Sequence, residues 1–146
     1  MLIRNILNEK GTKVFDIEPE DTVYDAIKKM ADKDIGALLV MEGEKLKGII
    51  TERDYRNKVI LKGRRSKTTA VREIMTSDLY TVQPTDTVDT CMALMTDRKF
   101  RHLPVVENGK VVGVISIGDL VKAVITKQKV EIHNLRDYIS GGSYPG

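Results

Sequence analysis

An internal duplication limits what this chain can fold into more than any other feature. Residues 14–60 align with residues 79–125 at a constant offset of 65, without a gap. Pro19 falls on Pro84, the run Asp21-Thr22-Val23 on Asp86-Thr87-Val88, and Met30 on Met95. The match continues through Leu38 and Leu103, Val40 and Val105, Gly48 and Gly113, Ile50 and Ile115, and Asp54 and Asp119. Two copies of a unit longer than a solenoid repeat imply a pseudo-twofold pair packed on each other, with clefts at the seam. Each half alone is marginal in size, whereas 146 residues suffice for one module with a real core.

Within each copy the pattern reads strand, helix, strand, strand, helix. Val14 to Ile17 is predicted as a strand; Thr22 with Asp25 three residues on then signals a helix start ahead of Val23, Ala26, Ile27 and Met30. Ala37 to Met41 and Lys47 to Thr51 form a hairpin, and in the second copy its turn is Glu107-Asn108-Gly109-Lys110, a strong hairpin signal. A short helix from Asp54 to about Ile60, and its partner from Asp119 onward, close the copies. Two related leads precede them, Ile3 to Leu7 and Val71 to Met75, but at an offset of 68, so the first lead carries three extra residues around Asn8 to Gly11. The expected division is therefore repeat one over 2–62, a linker over 63–70, repeat two over 71–126, a helical extension over 127–140 and a disordered tail over 141–146. In the extension Val124, Val130, Leu135, Tyr138 and Ile139 alternate with charged residues. It fits either a helix packed on its own module or an arm that helps to dimerise two modules.

Composition narrows the function classes. No apolar run approaches the roughly 20 residues that span a bilayer, and Met1-Leu2-Ile3-Arg4 opens no signal peptide, so no membrane association is expected. The single cysteine, Cys91, excludes an intrachain disulfide and points to a reducing compartment, here the cytoplasm. It occupies the place of Ala26 in the first copy, a small core position. A net charge of +3 is too small to imply nucleic acid by itself. The basic cluster Lys62 to Lys67 reads as a solvated, flexible linker; the cluster Arg98-Lys99-Phe100-Arg101-His102 sits just before a strand and asks for another explanation.

The runs Gly48-Ile49-Ile50-Thr51-Glu52-Arg53-Asp54 and Gly113-Val114-Ile115-Ser116-Ile117-Gly118-Asp119 resemble the signature that closes each cystathionine β-synthase (CBS) domain. His102-Leu103-Pro104-Val105-Val106 is similar to the strand before its hairpin. Two such copies in tandem resemble a CBS pair, or Bateman module, over about residues 2–126. The resemblance implies an α+β fold with two facing sheets and two pseudo-twofold-related clefts. It also implies adenosyl ligands there, AMP first, with NAD, ADP, ATP or S-adenosylmethionine as the others, and no catalytic cofactor. It further implies a homodimer, with Val23, Ile27, Met92 and Met95 as candidates for shared core and interface.

The chemistry of those clefts can be argued from residue types. An ionised aspartate accepts from both hydroxyls of a ribose, which suits Asp54 and Asp119, and a hydroxyl three residues earlier at a helix start, Thr51 or Ser116, lies where phosphate is attracted. The same spacings suit helix capping boxes, and the two roles are compatible. Where the second copy has Arg101-His102 the first has Gly36-Ala37, an asymmetry that predicts unequal sites with Arg101 as the main phosphate cation and Arg53 as another. His102 fits a ligand contact or a neutral histidine bonded to backbone; Arg98 and Lys99 read as a solvated helix end. By resemblance, Leu79, Tyr80, Phe100, Arg101, His102 and Pro104 complete the cleft of Thr51, Arg53 and Asp54. Val14, Phe15, Ile35, Gly36 and Ala37 complete that of Ser116 and Asp119. Most of these apolar side chains equally suit the core, and Tyr80 with Phe100 is the more telling pair for a flat adenine.

Three classes follow: a non-catalytic adenine-nucleotide sensor acting on a separate regulated protein, an enzyme, and an interaction or nucleic-acid-binding module with empty clefts. For an enzyme the chain offers two histidines, no Cys/His metal spacing and no phosphate-binding or nucleophile-elbow motif. For nucleic acid it lacks a sustained basic stripe with interleaved aromatics. The first class leads, with no catalytic and no metal-binding residue expected.

Overall fold

Each copy is built around a β-hairpin whose inner face is covered by one helix. The computed structural model describes residues 1–140, so the expected tail over 141–146 lies outside the described residues. In the first copy β1 (Asp16–Ile17), α2 (Val23–Lys33), β2 (Ala37–Glu42), β3 (Lys45–Thr51) and α3 (Glu52–Lys58) follow one another, after an N-terminal helix α1 (Ile3–Lys10). The second copy runs α4 (Val71–Ile74), α5 (Val88–Arg98), β4 (His102–Glu107), β5 (Lys110–Ser116) and α6 (Ile117–Ser140). Strands β1, β2 and β3 form one sheet, β1 parallel and β3 antiparallel to β2, and β4 with β5 forms the other. The fold is α+β, with two small sheets.

Local chemistry sets these boundaries. Thr22 caps α2 by accepting the Asp25 N–H at 3.1 Å, and Thr87 caps α5 by accepting that of Thr90 at 3.1 Å. Both helices end on a non-glycine residue in the left-handed region, Asp34 (φ 54°) and Lys99 (φ 58°), which turns the chain straight into the next strand. Asn108 (φ 52°) and Gly109 (φ 78°) are both left-handed, as the tight hairpin turn requires. The first strand is shorter than its sequence predicts: Asp16 and Ile17 pair with Leu39 and Val40, and only the Phe15 carbonyl reaches the ladder, through the Leu39 N–H. Its counterpart is a single parallel bridge, Val82 to Val105.

The leads cross over. The Ile3 N–H bonds the Asp86 carbonyl and that of Arg4 the Pro84 carbonyl, so α1 joins the core of the second copy, where Ile3, Ile6 and Leu7 pack with Val88, Met95, Leu103 and Ile115. Conversely the Val71 N–H bonds the Asp21 carbonyl, and Val71 and Ile74 complete the first core beside Val23, Met30, Leu38 and Ile50. Each core therefore holds the lead of the other copy, which ties the two copies into one module. Val23 and Met95 are fully interior, so of the four expected interface residues only Ile27 and Met92 stay half-buried at the surface. Cys91 is buried, and that burial pushes its thiol up to about 11, an unreactive core residue.

Between the copies, the segment before α4 is fastened to α2: the Tyr24 N–H bonds the Ser66 carbonyl and the Val23 N–H that of Thr69. Arg64 is ion-paired with Glu73 at 2.7 Å and Lys67 lies over the Tyr24 ring. The basic cluster is thus partly engaged within the fold.

Crossing leads pass close over the strands, and the two matched glycines make room for them. A Cβ on Gly48 would lie 2.7 Å from the Thr76 carbonyl oxygen, whereas one on Gly113 would lie 2.7 Å from Leu7 Cδ2, the movable end of a side chain. Gly48→Ala is therefore expected to destabilise the protein by about 1–3 kcal/mol, and Gly113→Ala by less. Urea midpoints of the two variants test the order; equal midpoints would show that the crossover tolerates a methyl group at both places.

Candidate functional site

The end of α5 and the start of β4 face the end of β3 and the start of α3 across the seam, leaving a cleft of about 830 Å³. That volume lies within the range of small-ligand sites. The same backbone construction frames it from both copies: the Glu52 N–H bonds the Gly36 carbonyl at 3.1 Å, and the Ile117 N–H bonds the Arg101 carbonyl at 2.8 Å. Side chains break the symmetry. Arg101 and His102 stand in the wall on one side, while Gly36 leaves the other side bare.

The predicted residues Thr51, Arg53, Asp54, Leu79, Tyr80, Phe100, Arg101 and His102 all line this one cleft. Pro104 does not: it sits inside β4, and its carbonyl accepts the Val82 N–H. Of the second predicted set, Gly36 and Ser116 line the same cleft, whereas Val14, Phe15, Ile35, Ala37 and Asp119 do not. Phe15 instead lies beneath Lys13 and Lys33, with their ammonium groups 5.1 and 5.5 Å from its ring centre.

Lining residues that the sequence analysis did not assign to the cleft include Thr76 and Arg56, which it passed over, and Arg98 and Lys99, which it read as a helix end. Arg98 is exposed at the end of α5, as its place in the sequence suggested, and its guanidinium lies over the Tyr80 ring, 5.2 Å from the centroid. The signal was its place three residues before Arg101, on the last turn of a helix that stops at the cleft. Tyr80 in turn meets Phe100 at 5.5 Å and a 47° tilt, so the two rings form one aromatic corner. They do not stand apart as two walls of a slot.

Electrostatics of the cleft favour anions. Arg53, Arg56, Arg98, Lys99 and Arg101 line it against the acids Glu52 and Asp54. Asp54 is moreover neutralised locally. Its Oδ2 accepts the Thr51 N–H and Oγ1–H, both at 3.1 Å, and its Oδ1 meets Lys58 Nζ at 3.0 Å and the Thr76 hydroxyl at 3.4 Å. Four contacts take up the four lone-pair positions of a carboxylate. The Thr51–Asp54 pair is thus a complete capping box, and a ligand hydroxyl reaches Asp54 only by replacing one of these donors.

His102 also lines the cleft. Its Nδ1 is buried with no hydrogen-bond partner, unlike a histidine satisfied by backbone. Burial, above all, pushes its pKa below the usual histidine value; Asp119 opposes that shift, while Lys10 and Arg101 add to it. The imidazole is therefore neutral at physiological pH, with its Nδ1 sealed from the cleft.

The CBS domain family profile matches residues 10–60 and 71–126. The chain belongs to the CBS-domain family. A CBS-domain protein of Arabidopsis thaliana named CBSX3, mitochondrial, is 48% identical over 128 residues, covering 84% of this chain and 62% of its own length. This chain thus spans less than two thirds of that relative. A structure described as a putative signal-transduction protein with CBS domains, from Burkholderia ambifaria, is 51% identical over 88% of this chain and 96% of its own, with a TM-score of 0.85. At 24% identity the likeness is one of fold alone: the CBS domain pair of protein MJ0100, solved with 5'-methylthioadenosine and S-adenosyl-L-methionine, matches with a TM-score of 0.76 over 87% of this chain and 98% of its own. A hexameric CBS-CP12 protein from cyanobacteria matches at 25% identity and TM-score 0.76, over 98% of this chain and 90% of its own.

In this CBS pair the three extra residues of the first lead have a visible consequence. They lengthen α1 to eight residues against four in α4 and bring Lys10 to its end. Lys10 Nζ donates to Asp119 Oδ2 at 2.8 Å and to the Val114 carbonyl at 2.9 Å. Asp119 Oδ2 also accepts the Ser116 N–H at 2.8 Å, and Ser116 Oγ accepts that of Asp119, so the second capping box is complete as well. Burial pushes the Asp119 carboxyl up, but the Lys10 and Ser116 bonds outweigh it and hold the group below its ordinary value. The stabilisation from this ion pair is therefore fully present above about pH 4, the unfolded value, and is lost as pH falls through the lower folded value. Lys10→Ala should cost no more than about 1 kcal/mol at pH 7, since the pair is partly exposed, and the difference from the parent should vanish at the acid end. Urea unfolding at pH 7 and near pH 3 checks this; a pH-independent loss would mean that Lys10 acts by packing.

Proposed function

We propose that this CBS-domain protein is a non-catalytic sensor whose seam cleft binds an adenine nucleotide, AMP first, with NAD, ADP, ATP and S-adenosylmethionine as the other candidates. One observation carries the reading: a single cleft places the Tyr80–Phe100 aromatic corner beside five cationic side chains that outnumber its two acids. A flat base and a phosphate need that combination. The base packs against the aromatic corner, the phosphate meets Arg101 with Arg53 in reserve, and the ribose replaces one of the donors at Asp54. The MJ0100 pair, solved with two adenosyl compounds on the same fold, supports this ligand class.

No reaction step is assigned. Ser116 and Asp119 are bonded to each other in a helix cap, Lys10 holds the carboxylate and the buried Nδ1 of His102 is bonded to neither, so the three are not linked as a nucleophile, its base and an orienting acid. Nucleotide binding would act on a separate regulated protein. No helix among the described residues is long and apolar enough to cross a membrane. The buried Cys91 thiol suits the cytoplasm, although the Arabidopsis relative carries a mitochondrial name. Self-association as a homodimer belongs to the same reading, supported by the half-buried Ile27 and Met92 and by further apolar side chains exposed on α6.

Mass spectrometry of small molecules released when the purified protein is denatured tests the ligand class. An adenosyl compound at stoichiometric amounts is the expected result. A stoichiometric ligand without an adenine would overturn the reading.

A further inference from the structure

Helix α6 outruns the module that it closes. Its first two turns are anchored, with Leu120 fully buried and Ala123 and Val124 packed on the second core, but the helix continues to Ser140, about 36 Å in all. From Thr126 to Ile139 every residue is exposed. The exposed part is nevertheless not polar all round. Val121, Ile125, Gln128, Ile132, Leu135 and Ile139 recur at alternating steps of four and three, and the last three apolar members are 51%, 58% and 56% accessible. This is a heptad seam with isoleucine at every a position (125, 132, 139) and Val121, Gln128 and Leu135 at d. In the heptad of Ile132 and Leu135 this is the isoleucine-at-a, leucine-at-d combination that favours two parallel strands, while Val121 and Gln128 hold the other d positions.

We infer that the outer part of α6 pairs with the same helix of a second copy of this chain, as a parallel, in-register two-stranded coiled coil. Charge complementarity chooses both the occupant and the direction. The e positions are Lys122, Lys129 and Arg136, all basic, and the g position of the central heptad is Glu131. In a parallel pair Glu131 of one copy faces Arg136 of the other, the g-to-e′ arrangement that sets partner choice. In an antiparallel pair the e rows would face each other and oppose base with base. Two and a half heptads are too short to hold two chains on their own, so the seam adds to contacts between the modules. The inference rests on the homodimer reading and is independent of what the cleft binds.

Sedimentation over a concentration series separates the two claims. The parent is expected to be dimeric at micromolar concentration. The double variant Ile132→Glu, Leu135→Glu should raise the dimer Kd on the order of 100-fold, while Val130→Glu, equally exposed but on the opposite face, should leave it unchanged. A monomeric parent overturns the dimer reading and this inference with it; a dimeric parent whose Kd ignores the seam variant overturns this inference alone, as does an equal response to Val130→Glu. Direction is tested by Leu135→Cys under mild oxidation, since the buried Cys91 does not compete. A covalent dimer supports the parallel register, and its absence in a variant that still dimerises overturns it.

Discussion

Arg101→Ala is expected to weaken AMP binding by roughly 10- to 150-fold, about 1.5–3 kcal/mol, while adenosine binding changes little. The selectivity follows from position. Arg101 enters the cleft wall where the aligned residue of the first copy is Gly36, and among the described residues it has no carboxylate partner. Its guanidinium is therefore available for a phosphate, which the nucleoside lacks. Calorimetry with both ligands checks this. Equal losses for adenosine and AMP would mean that Arg101 shapes the cleft, and the phosphate role would pass to Arg53.

Asp54→Ala has the second large expected effect and a different signature. Nucleotide and nucleoside both carry the ribose diol, so both should lose affinity alike, again by about 1.5–3 kcal/mol. Stability should fall as well. The substitution removes the acceptor for the Thr51 N–H at the start of α3 and leaves Lys58 Nζ without its 3.0 Å partner. A broken cap of this kind costs about 0.5–2 kcal/mol. A lowered melting temperature with undiminished affinity would reduce Asp54 to a helix cap; loss of both is the result expected here.

The duplication made much of the molecule legible, because a motif seen twice is read with its own control. Thr22 and Thr87 as caps, the Asn108-Gly109 turn and both closing capping boxes follow from short-range spacing, and each is present. The contrast of Arg101-His102 with Gly36-Ala37 likewise pointed to a cation on one side only, and Arg101 lines the cleft opposite the bare Gly36. Long-range pairings were beyond reach. Lys10 meets Asp119 across 109 residues, and nothing in the run Asn8 to Gly11 tells which carboxylate it will find. The exchange of leads between cores is hidden for a related reason: Ile3 to Leu7 and Val71 to Met75 share one apolar pattern, so either suits either core. The saturation of Asp54 depends on Thr76, which comes from beyond the linker between the repeats and meets β3 through paired backbone bonds to Ile49 at 2.9 Å.

Direct titration of the nucleotide-free protein with AMP, at two salt concentrations, bears most closely on the central claim. A seam cleft that holds a base on Tyr80 and Phe100 and a phosphate on Arg101 predicts saturation at one or two equivalents per chain, competed by adenosine and weakened only modestly by salt. Binding that never saturates, or that collapses with a steep salt slope, is the signature of a diffuse basic surface and would contradict it.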